Sequence, residues 1–364
     1  MKALLLTAPS RLEYVDFPEP SPADDEVLVR VHACGICGSD IHGWDGSTGR
    51  RQPPLIMGHE ASGEVAATGA RVSGWRKGDR VTFDSTISCG ACRFCATGAV
   101  NLCEDRRVVG VAPKEFRQHG AFAEYLAIPA RILYRLPDSL AYDEAAMVEP
   151  VSIAVHAVKR APISPGATAV VIGSGMIGLL VIQALRWAGA TRVIAVDLAD
   201  SRLELARRLG ATHTINSGSA DAAAEVTRLT DGLGADLAFE VVGFGPTLNL
   251  ALAVLKRGGS CVLVGNLAPR TQDFPLQAVV TKELTLLGSC ASAGEYPLCL
   301  DLIARGAIDV RPMIETVAPL AGNLDPEDAG ELPAEPAHPA LEPIAAMIGD
   351  AGRHHLHETG PVGA

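Results

Sequence analysis

A glycine-rich turn near the middle of the chain constrains the fold more than any other feature. The glycines Gly173, Gly175 and Gly178 follow the apolar run 168–172 and open the apolar stretch 177–188. Glycine at this spacing permits a tight turn, a close approach of the backbone to a pyrophosphate, and packing of a helix on a strand. The turn therefore predicts a βαβ unit of a parallel sheet that binds a dinucleotide.

The residues around this turn indicate which dinucleotide it binds. The N-terminus of the helix predicted over 177–188, with Met176 and Ile177, presents N–H donors and the positive end of the helix dipole to the phosphates. Asp197 ends the next predicted strand, 19 positions after Gly178. A carboxylate there accepts hydrogen bonds from the adenosine ribose and repels a 2′-phosphate, which favours NAD over NADP. We include Arg202 among the expected cofactor-binding residues, and a glycine turn that serves packing alone stays open as the alternative.

A change of pattern near residue 150 indicates two domains. Short β-like runs broken by glycine and proline fill residues 1–150, which predicts a compact, mostly antiparallel β domain. Strands alternate with helices of about ten residues over 151–292, which predicts an α/β fold with a doubly wound parallel sheet of the Rossmann type. Residues 293–321 are expected to return towards the first domain. The predicted strands of the second domain are 168–172, 192–196, 235–240 and 260–264, and its predicted helices are 151–158, 177–188, 201–209 and 247–255.

The last segment, residues 322–364, differs in composition from the rest of the chain. It has no aromatic residue and is rich in proline, alanine, glycine and histidine. This composition predicts a disordered or weakly structured tail. A genuine tail and a shifted reading frame both stay open, and no function is assigned to its histidines.

Composition excludes several classes of function. The formal net charge is −11 at pH 7 and no basic run is present, so the positive face that sequence-independent nucleic-acid binding requires is missing. No apolar stretch reaches the roughly 20 residues that cross a bilayer. Nine cysteines without an export signal argue against a disulfide framework. We expect a cytoplasmic protein with small-molecule partners, and neither nucleic acid nor membrane.

Four clustered cysteines indicate a metal site. Cys89, Cys92, Cys95 and Cys103 lie within fifteen positions. Four thiolates on a short loop close a tetrahedral shell around Zn²⁺ and leave no open position, which is typical of a structural site. The iron–sulfur alternative fits less well, because the seven residues before the fourth cysteine do not match the ferredoxin run.

A second, dispersed set of metal-ligand residue types lies in the first 150 positions. Cys37 is followed by the pair His59 and Glu60, and Glu149 stands at the domain boundary. One thiolate, one imidazole and one or two carboxylates make a mixed shell with room for water or substrate, as catalytic zinc requires. Each residue also has an ordinary structural interpretation: a buried thiol, a core histidine or a surface charge.

The motifs taken together resemble the zinc-containing medium-chain dehydrogenases over residues 1 to about 320. This resemblance implies a GroES-like catalytic domain with zinc at Cys37 and His59, and with Glu60 and Glu149 as acidic ligands or exchange partners. A carboxylate at Glu149 resembles the sorbitol dehydrogenase branch. The family also implies a homodimer or homotetramer. The motifs that carry the resemblance are GICGSDIH, GHEASGEV, CGACRFC, EPVSIAVHA and VIGSGMIGLL.

The resemblance also implies a reaction. Zinc acidifies the hydroxyl of a polyol or other secondary alcohol, Ser39 takes its proton, His42 passes the proton towards solvent, and a hydride moves to NAD to leave a ketone. Asp40 would orient His59, and a purely turn-stabilising role for Asp40 stays open. One departure is Gly43, where sorbitol dehydrogenases carry a tyrosine; it argues against sorbitol itself.

Two other functions remain open. An L-threonine or sugar-acid dehydrogenase would use the same zinc and NAD chemistry on a different substrate. A non-catalytic dinucleotide-binding protein would keep the fold without turnover.

Overall fold

The computed structural model describes residues 1–266 and 274–320. These divide into two compact units: one runs from Met1 to Glu149 and resumes at Val310, and the other covers Pro150–Asp309. The predicted disorder of residues 322–364 lies outside the described residues. Across the described part of the chain, no helix combines the length and the apolar character needed to cross a membrane.

The first unit is built around antiparallel sheets. The largest has five strands in the order β10-β6-β5-β3-β9, a second has the order β2-β1-β4, and β7 pairs with β8. Valine, leucine and isoleucine recur in these strands, and their side chains are buried in two cores, one formed by the five-stranded sheet and one that includes β1 and β4. The strands are β1 Lys2–Ala8, β2 Arg11–Asp16, β3 Glu26–Gly35, β4 Leu55–Ile56, β5 Glu60–Thr68, β6 Arg80–Phe83, β7 Thr86–Ile87, β8 Arg107–Val108, β9 Tyr125–Pro129 and β10 Leu133–Arg135.

Short helices connect these strands and one longer helix leads out of the unit. The helix after β3 begins where the alternating pattern stops, and Cys37 is its N-cap residue. Proline at position 150 is tolerated because it lies in the first turn of its helix. The helices are α1 Gly38–Trp44, α2 Arg93–Ala96, α3 Tyr142–Ala146 and α4 Val148–Arg160, with 3₁₀ turns at Val100–Leu102, Ala130–Ile132 and Arg311–Met313.

The second unit is a parallel sheet of six strands in the order β13-β12-β11-β14-β15-β16. The order reverses at β11, which is the first strand of the unit, so the sheet is doubly wound. Its central strands are continuous apolar runs because both faces are buried. The elements are β11 Thr168–Ile172, α5 Met176–Trp187, β12 Arg192–Asp197, α6 Asp200–Arg208, β13 His213–Asn216, α7 Ala222–Leu229, β14 Ala235–Glu240, α8 Gly245–Ala253, β15 Leu255–Leu263, α9 Leu276–Thr281, β16 Thr285–Gly288 and α10 Tyr296–Ala304.

The antiparallel first unit and the parallel second unit confirm the predicted fold class. The bounds of β11 and β14 coincide with the predicted strands 168–172 and 235–240. The predicted helix 247–255 is wrong at its end, because α8 ends at Ala253 and Leu255 already pairs with Ala235 in β15. Five elements of this unit have no counterpart among the predicted ones: β13, α7, α9, β16 and α10. Strand β13, for example, is a four-residue edge strand in which Ile215 alone is buried, so it has no apolar run in the sequence.

Candidate active site and metal centres

Strand pairing brings the dispersed ligand set together in the first unit. Gly35 at the end of β3 pairs with Glu60 at the start of β5, so the residues just beyond β3 face those just before β5. Ligand atoms of Cys37, His59 and Glu60 all lie within 4.8 Å of one another. Sulfur, nitrogen and oxygen donors at this separation suit Zn²⁺ and leave a position for a further ligand.

Burial governs the protonation of these three groups. Burial raises the pKa of Cys37 and the pKa of Glu60. Burial alone would lower the pKa of His59, but the negative charge of Asp40 raises this pKa well above its ordinary value. Without a cation the cluster therefore holds protons, whereas a divalent ion favours the deprotonated ligands and reverses this preference.

Glu149 lies beside this cluster but outside the group of three. It stands in the first turn of α4, and its Oε1 accepts a hydrogen bond of 3.2 Å from Ser85 Oγ. Burial raises the pKa of Glu149 to about 8, and the charges of His59 and Glu60 also act on it. The structure thus brings three of the four expected ligands into one group and holds the fourth carboxyl close by.

Asp40 makes both contacts that the sequence left as alternatives. Its Oδ2 accepts a hydrogen bond from the Cys37 N–H at 3.2 Å, which closes the turn into α1. Its Oδ1 lies 3.4 Å from Nδ1 of His59. This approach leaves Nε2 as the imidazole nitrogen for a metal, in the arrangement that orients metal-bound histidines.

The two expected proton-transfer residues lie on α1. Ser39 and His42 are three residues apart on this helix, so they share a face. Ser39 Oγ accepts a hydrogen bond of 3.0 Å from Nη2 of Arg51. Sequence reasoning missed Arg51, since one of two adjacent arginines in a polar loop has no distinguishing pattern.

The four clustered cysteines converge as a closed site. The Cys95 sulfur lies 3.9 Å from that of Cys89 and 3.6 Å from that of Cys92. Zn–S bonds of about 2.3 Å in a tetrahedron place sulfurs about 3.8 Å apart. All four sulfurs, including that of Cys103, lie within 4.8 Å of one another. The donor set therefore fits a zinc ion without an open position.

Backbone amides favour thiolates in this loop. Hydrogen bonds from backbone N–H groups, that of Cys95 first, lower the pKa of Cys92 to about 6. Burial instead raises the pKa of Cys103 to about 11. The Cys89 N–H nevertheless donates to the Cys103 sulfur at 3.2 Å, which supports a thiolate there once a cation is bound.

The glycine turn of the second unit forms a cradle between β11 and α5. Gly173 has φ +95°, and a Cβ on Gly178 would lie 1.9 Å from the carbonyl oxygen of Gly173. A Cβ on Gly175 would meet no atom within 4 Å. Ser174 Oγ is buried and has no hydrogen-bond partner among the described residues. Open space beside an orphaned hydroxyl at a helix N-terminus fits a pyrophosphate.

Asp197 ends β12 next to this cradle. Its Oδ2 accepts a hydrogen bond of 2.6 Å from the Ser174 N–H, and its Oδ1 accepts bonds from the next two backbone amides along the chain, at 2.8 and 3.0 Å. Nη1 of Arg202 lies 3.8 Å from Oδ1. The expected ribose-binding carboxylate is thus fixed in position relative to the glycine turn.

Comparisons with known proteins agree with this arrangement. The family model of the alcohol dehydrogenase GroES-like domain matches residues 23–138, and that of zinc-binding dehydrogenases matches residues 177–305. The chain is 36% identical to sorbitol dehydrogenase of Bacillus subtilis (strain 168) over 319 residues, which cover 86% of this chain and 89% of the relative.

Two further relatives extend this similarity. A probable D-xylulose reductase A of Emericella nidulans is 38% identical over 315 residues, which cover 84% of this chain and 86% of that protein. The structure of the alcohol dehydrogenase TADH from Thermus sp. ATN1 matches with a TM-score of 0.80 and 33% identity, covering 86% of this chain and 92% of that chain.

Proposed function

The chain belongs to the zinc-containing medium-chain alcohol dehydrogenase family, and from this premise we propose how its residues oxidise a polyol or another secondary alcohol to a ketone with NAD. It is a zinc-dependent oxidoreductase of the polyol branch. The observation that carries the proposal is the open, mixed-donor cluster of Cys37, His59 and Glu60. A closed structural site alone would bind zinc but would offer no position for a substrate.

Zinc, when bound, supplies a Lewis acid for the substrate hydroxyl, and NAD supplies a hydride acceptor. Cys37, His59 and Glu60 are the proposed zinc ligands, and Asp40 keeps the His59 ring in place. Glu149 is the proposed exchange partner of Glu60, because its buried carboxyl lies next to the same cluster.

Ser39 and His42 are the proposed proton carriers. Ser39 follows the ligand Cys37 by two residues, and its hydroxyl accepts the substrate proton as it releases its own O–H proton to the relay. His42 lies one turn further along the same face of α1 and passes that proton towards solvent.

Cys89, Cys92, Cys95 and Cys103 are the proposed ligands of a second, structural zinc. Their sulfurs already stand near tetrahedral separations. This ion holds the loop around α2 in one conformation and takes no part in the chemistry.

The cofactor site is proposed in the second unit. Gly173, Gly175 and Gly178 leave room for the pyrophosphate, and the N–H groups at Met176 and Ile177 bind its oxygens. Asp197 binds the adenosine ribose and Arg202 flanks it; these two residues complete the proposed set.

A substrate panel with zinc measured in the same sample tests the proposal. We expect NADH formation with one or more polyols, about two zinc ions per chain on the basis of two complete donor sets, and loss of activity on chelation. Active protein without zinc would contradict the zinc mechanism. Turnover of L-threonine or sugar acids alone would show that the substrate is one of these and not a polyol. NAD binding without turnover of any compound on the panel would favour a non-catalytic dinucleotide-binding protein.

We also propose a homodimer or homotetramer. Strand β16 forms one edge of the six-stranded sheet, and Leu276 and Val280 of the preceding helix are 63% and 65% exposed. An edge strand with apolar neighbours can pair with a second copy of the chain. Analytical ultracentrifugation tests this, and a monomer at micromolar concentration would contradict it.

A cytoplasmic location is proposed on the chemistry of the four-thiol site. Its cysteines are free rather than paired in disulfides, and zinc binding requires them to stay reduced. Cell fractionation tests the proposal, and recovery from an oxidising compartment would contradict it.

A further inference from the structure

Arg51 is a buried cation beside the candidate active site. It lies in the loop between α1 and β4, and its side chain is 4% exposed. The loop backbone is held in place on both sides of Arg51, because Gln52 N–H donates to the Ala112 carbonyl and Ala112 N–H donates to the Arg50 carbonyl, each at 3.0 Å. A buried guanidinium is costly unless its surroundings compensate its charge, so its contacts are informative.

One nitrogen of Arg51 connects two residues of the site. Nη2 donates to Ser39 Oγ and to Asp40 Oδ1, each at 3.0 Å. The same Asp40 oxygen lies 3.4 Å from Nδ1 of His59. Arg51 therefore contacts both the hydroxyl that follows the ligand Cys37 and the carboxylate that faces the ligand His59.

The stem of Arg51 reaches this position only because residue 43 is glycine. A Cβ on Gly43 would lie 1.9 Å from Cδ of Arg51 and 2.8 Å from its Nε. Nε is itself buried and has no hydrogen-bond partner within residues 1–266 and 274–320. The guanidinium is thus held by its Nη2 contacts and by the space that Gly43 leaves, not by bonds all around it.

We propose that Arg51 is a positioning residue that orients the Ser39 hydroxyl for proton transfer. Because Ser39 Oγ accepts a hydrogen from Arg51, its own O–H group is directed to a different partner and one lone pair stays available for the substrate proton. A guanidinium has donors and no acceptor, so Arg51 does not compete with Ser39 for the substrate proton. Its contact with Asp40 holds that carboxylate against His59.

This inference rests on the proposed function, because it assumes that Ser39 handles the substrate proton. It adds a residue outside the ligand motifs whose loss slows proton transfer without removing the metal. The expected signature is a lower kcat with unchanged zinc content, since the Arg51 side chain donates to Ser39 and Asp40 and not to any of the three proposed ligands.

The test compares Arg51→Met with Arg51→Lys and Arg50→Met in the full-length protein. Arg51→Met keeps an apolar stem and removes the donors; we expect kcat to fall about 10- to 100-fold, the scale of a positioned proton-transfer group, with a larger solvent deuterium isotope effect. Arg51→Lys keeps the positive charge and a donor, so we expect its kcat to lie between that of Arg51→Met and that of the wild type. Arg50→Met removes the neighbouring, exposed cation and leaves every parameter unchanged.

A double-mutant cycle separates positioning from simple stabilisation. Ser39→Ala should cost much less in the Arg51→Met background than in the wild type, because both substitutions disable the same step. Additive losses would overturn the inference, as would an Arg51→Met variant with the kcat and isotope effect of the wild type. Loss of zinc together with kcat, without rescue by lysine, would also overturn it in favour of a structural role.

Different experimental results would contradict the proposed function and the inference about Arg51. A wild-type protein that holds zinc but turns over no alcohol would contradict the proposed function, and the inference would fall with it. An active wild type with an unaffected Arg51→Met variant would contradict the inference alone.

Discussion

Gly175 and Gly178 lie in the same turn but have opposite surroundings, so replacing each by alanine separates the fold from cofactor binding. A Cβ on Gly178 would be 1.9 Å from a backbone oxygen, and neither that oxygen nor the start of α5 moves easily. Overpacking of this kind costs about 1–3 kcal/mol, and a contact this short belongs near the upper end. We expect Gly178→Ala to lower the free energy of unfolding by about 3 kcal/mol, or Tm by roughly 6–12 °C.

Gly175→Ala is the matched control. The added methyl meets no atom within 4 Å, and φ of −72° suits alanine. Alanine is a poorer N-cap residue than glycine, which lowers the free energy of unfolding, but it also reduces the entropy of the unfolded chain, which raises it. We expect these two effects to cancel to within about 1 kcal/mol. The methyl occupies the space that the pyrophosphate needs, so we expect the Kd for NADH to rise at least about tenfold, or about 1.4 kcal/mol.

Thermal unfolding and NADH titration of both variants give the decisive comparison. The reasoning requires Gly178→Ala to lose stability and Gly175→Ala to lose affinity while keeping most of its stability. Wild-type NADH affinity in Gly175→Ala would refute the placement of the cofactor, and wild-type Tm in Gly178→Ala would refute the steric argument.

Three further predictions follow from individual sites. Cys95→Ser should remove about one of the proposed zinc ions and lower Tm, because the closed site loses a thiolate; metal analysis that still finds the wild-type zinc content would contradict this assignment. Asp197→Ala should raise the KM for NAD and reduce discrimination against NADP, because the repelling carboxylate is gone while Arg202 remains; unchanged KM values for both cofactors would count against the ribose contact. Burial acts to raise the pKa of Glu295, but hydrogen bonds from His156, a backbone amide and Lys159 lower this pKa to about 2. The ionised carboxylate therefore stabilises the folded state fully at pH values above its ordinary pKa of 4.5. This stabilisation is lost progressively as the pH falls towards 2. Urea unfolding should therefore show Glu295→Gln destabilised by about 1–3 kcal/mol at pH 7 with a smaller gap near pH 3, and a gap independent of pH would contradict the linkage.

The sites that depend on short spacing were predictable. The four clustered cysteines and the glycine turn each place their groups within a few residues of one another, so local geometry alone brings the atoms together. Cys37 and His59 are far apart in sequence and meet because β3 pairs with β5. Residue types pointed to that site, but the chain alone did not specify the pairing; resemblance to a known family supplied it.

Element ends were harder to predict where glycine interrupts a strand. Strand β15 includes Gly258 and Gly259, a pair that reads locally as a turn. Leu255 nevertheless pairs with Ala235, and an irregularity in register then leads to the pairing of Ser260 with Leu237. Tertiary pairing along the neighbouring strand decides this boundary, and local propensity does not record it.

Arg51 marks the limit of sequence reasoning more clearly than any element end. Arg50 and Arg51 are adjacent and chemically identical, yet one is exposed and the other is almost fully buried against Ser39 and Asp40. What distinguishes them is the missing side chain at Gly43, since a Cβ there would overlap the Arg51 stem. The lack of a side chain at Gly43 thus leaves the space that Arg51, eight positions later, occupies. In the sequence the same glycine is only a departure from a pattern, whereas in the structure it is the space that lets a cation reach the proton-transfer hydroxyl.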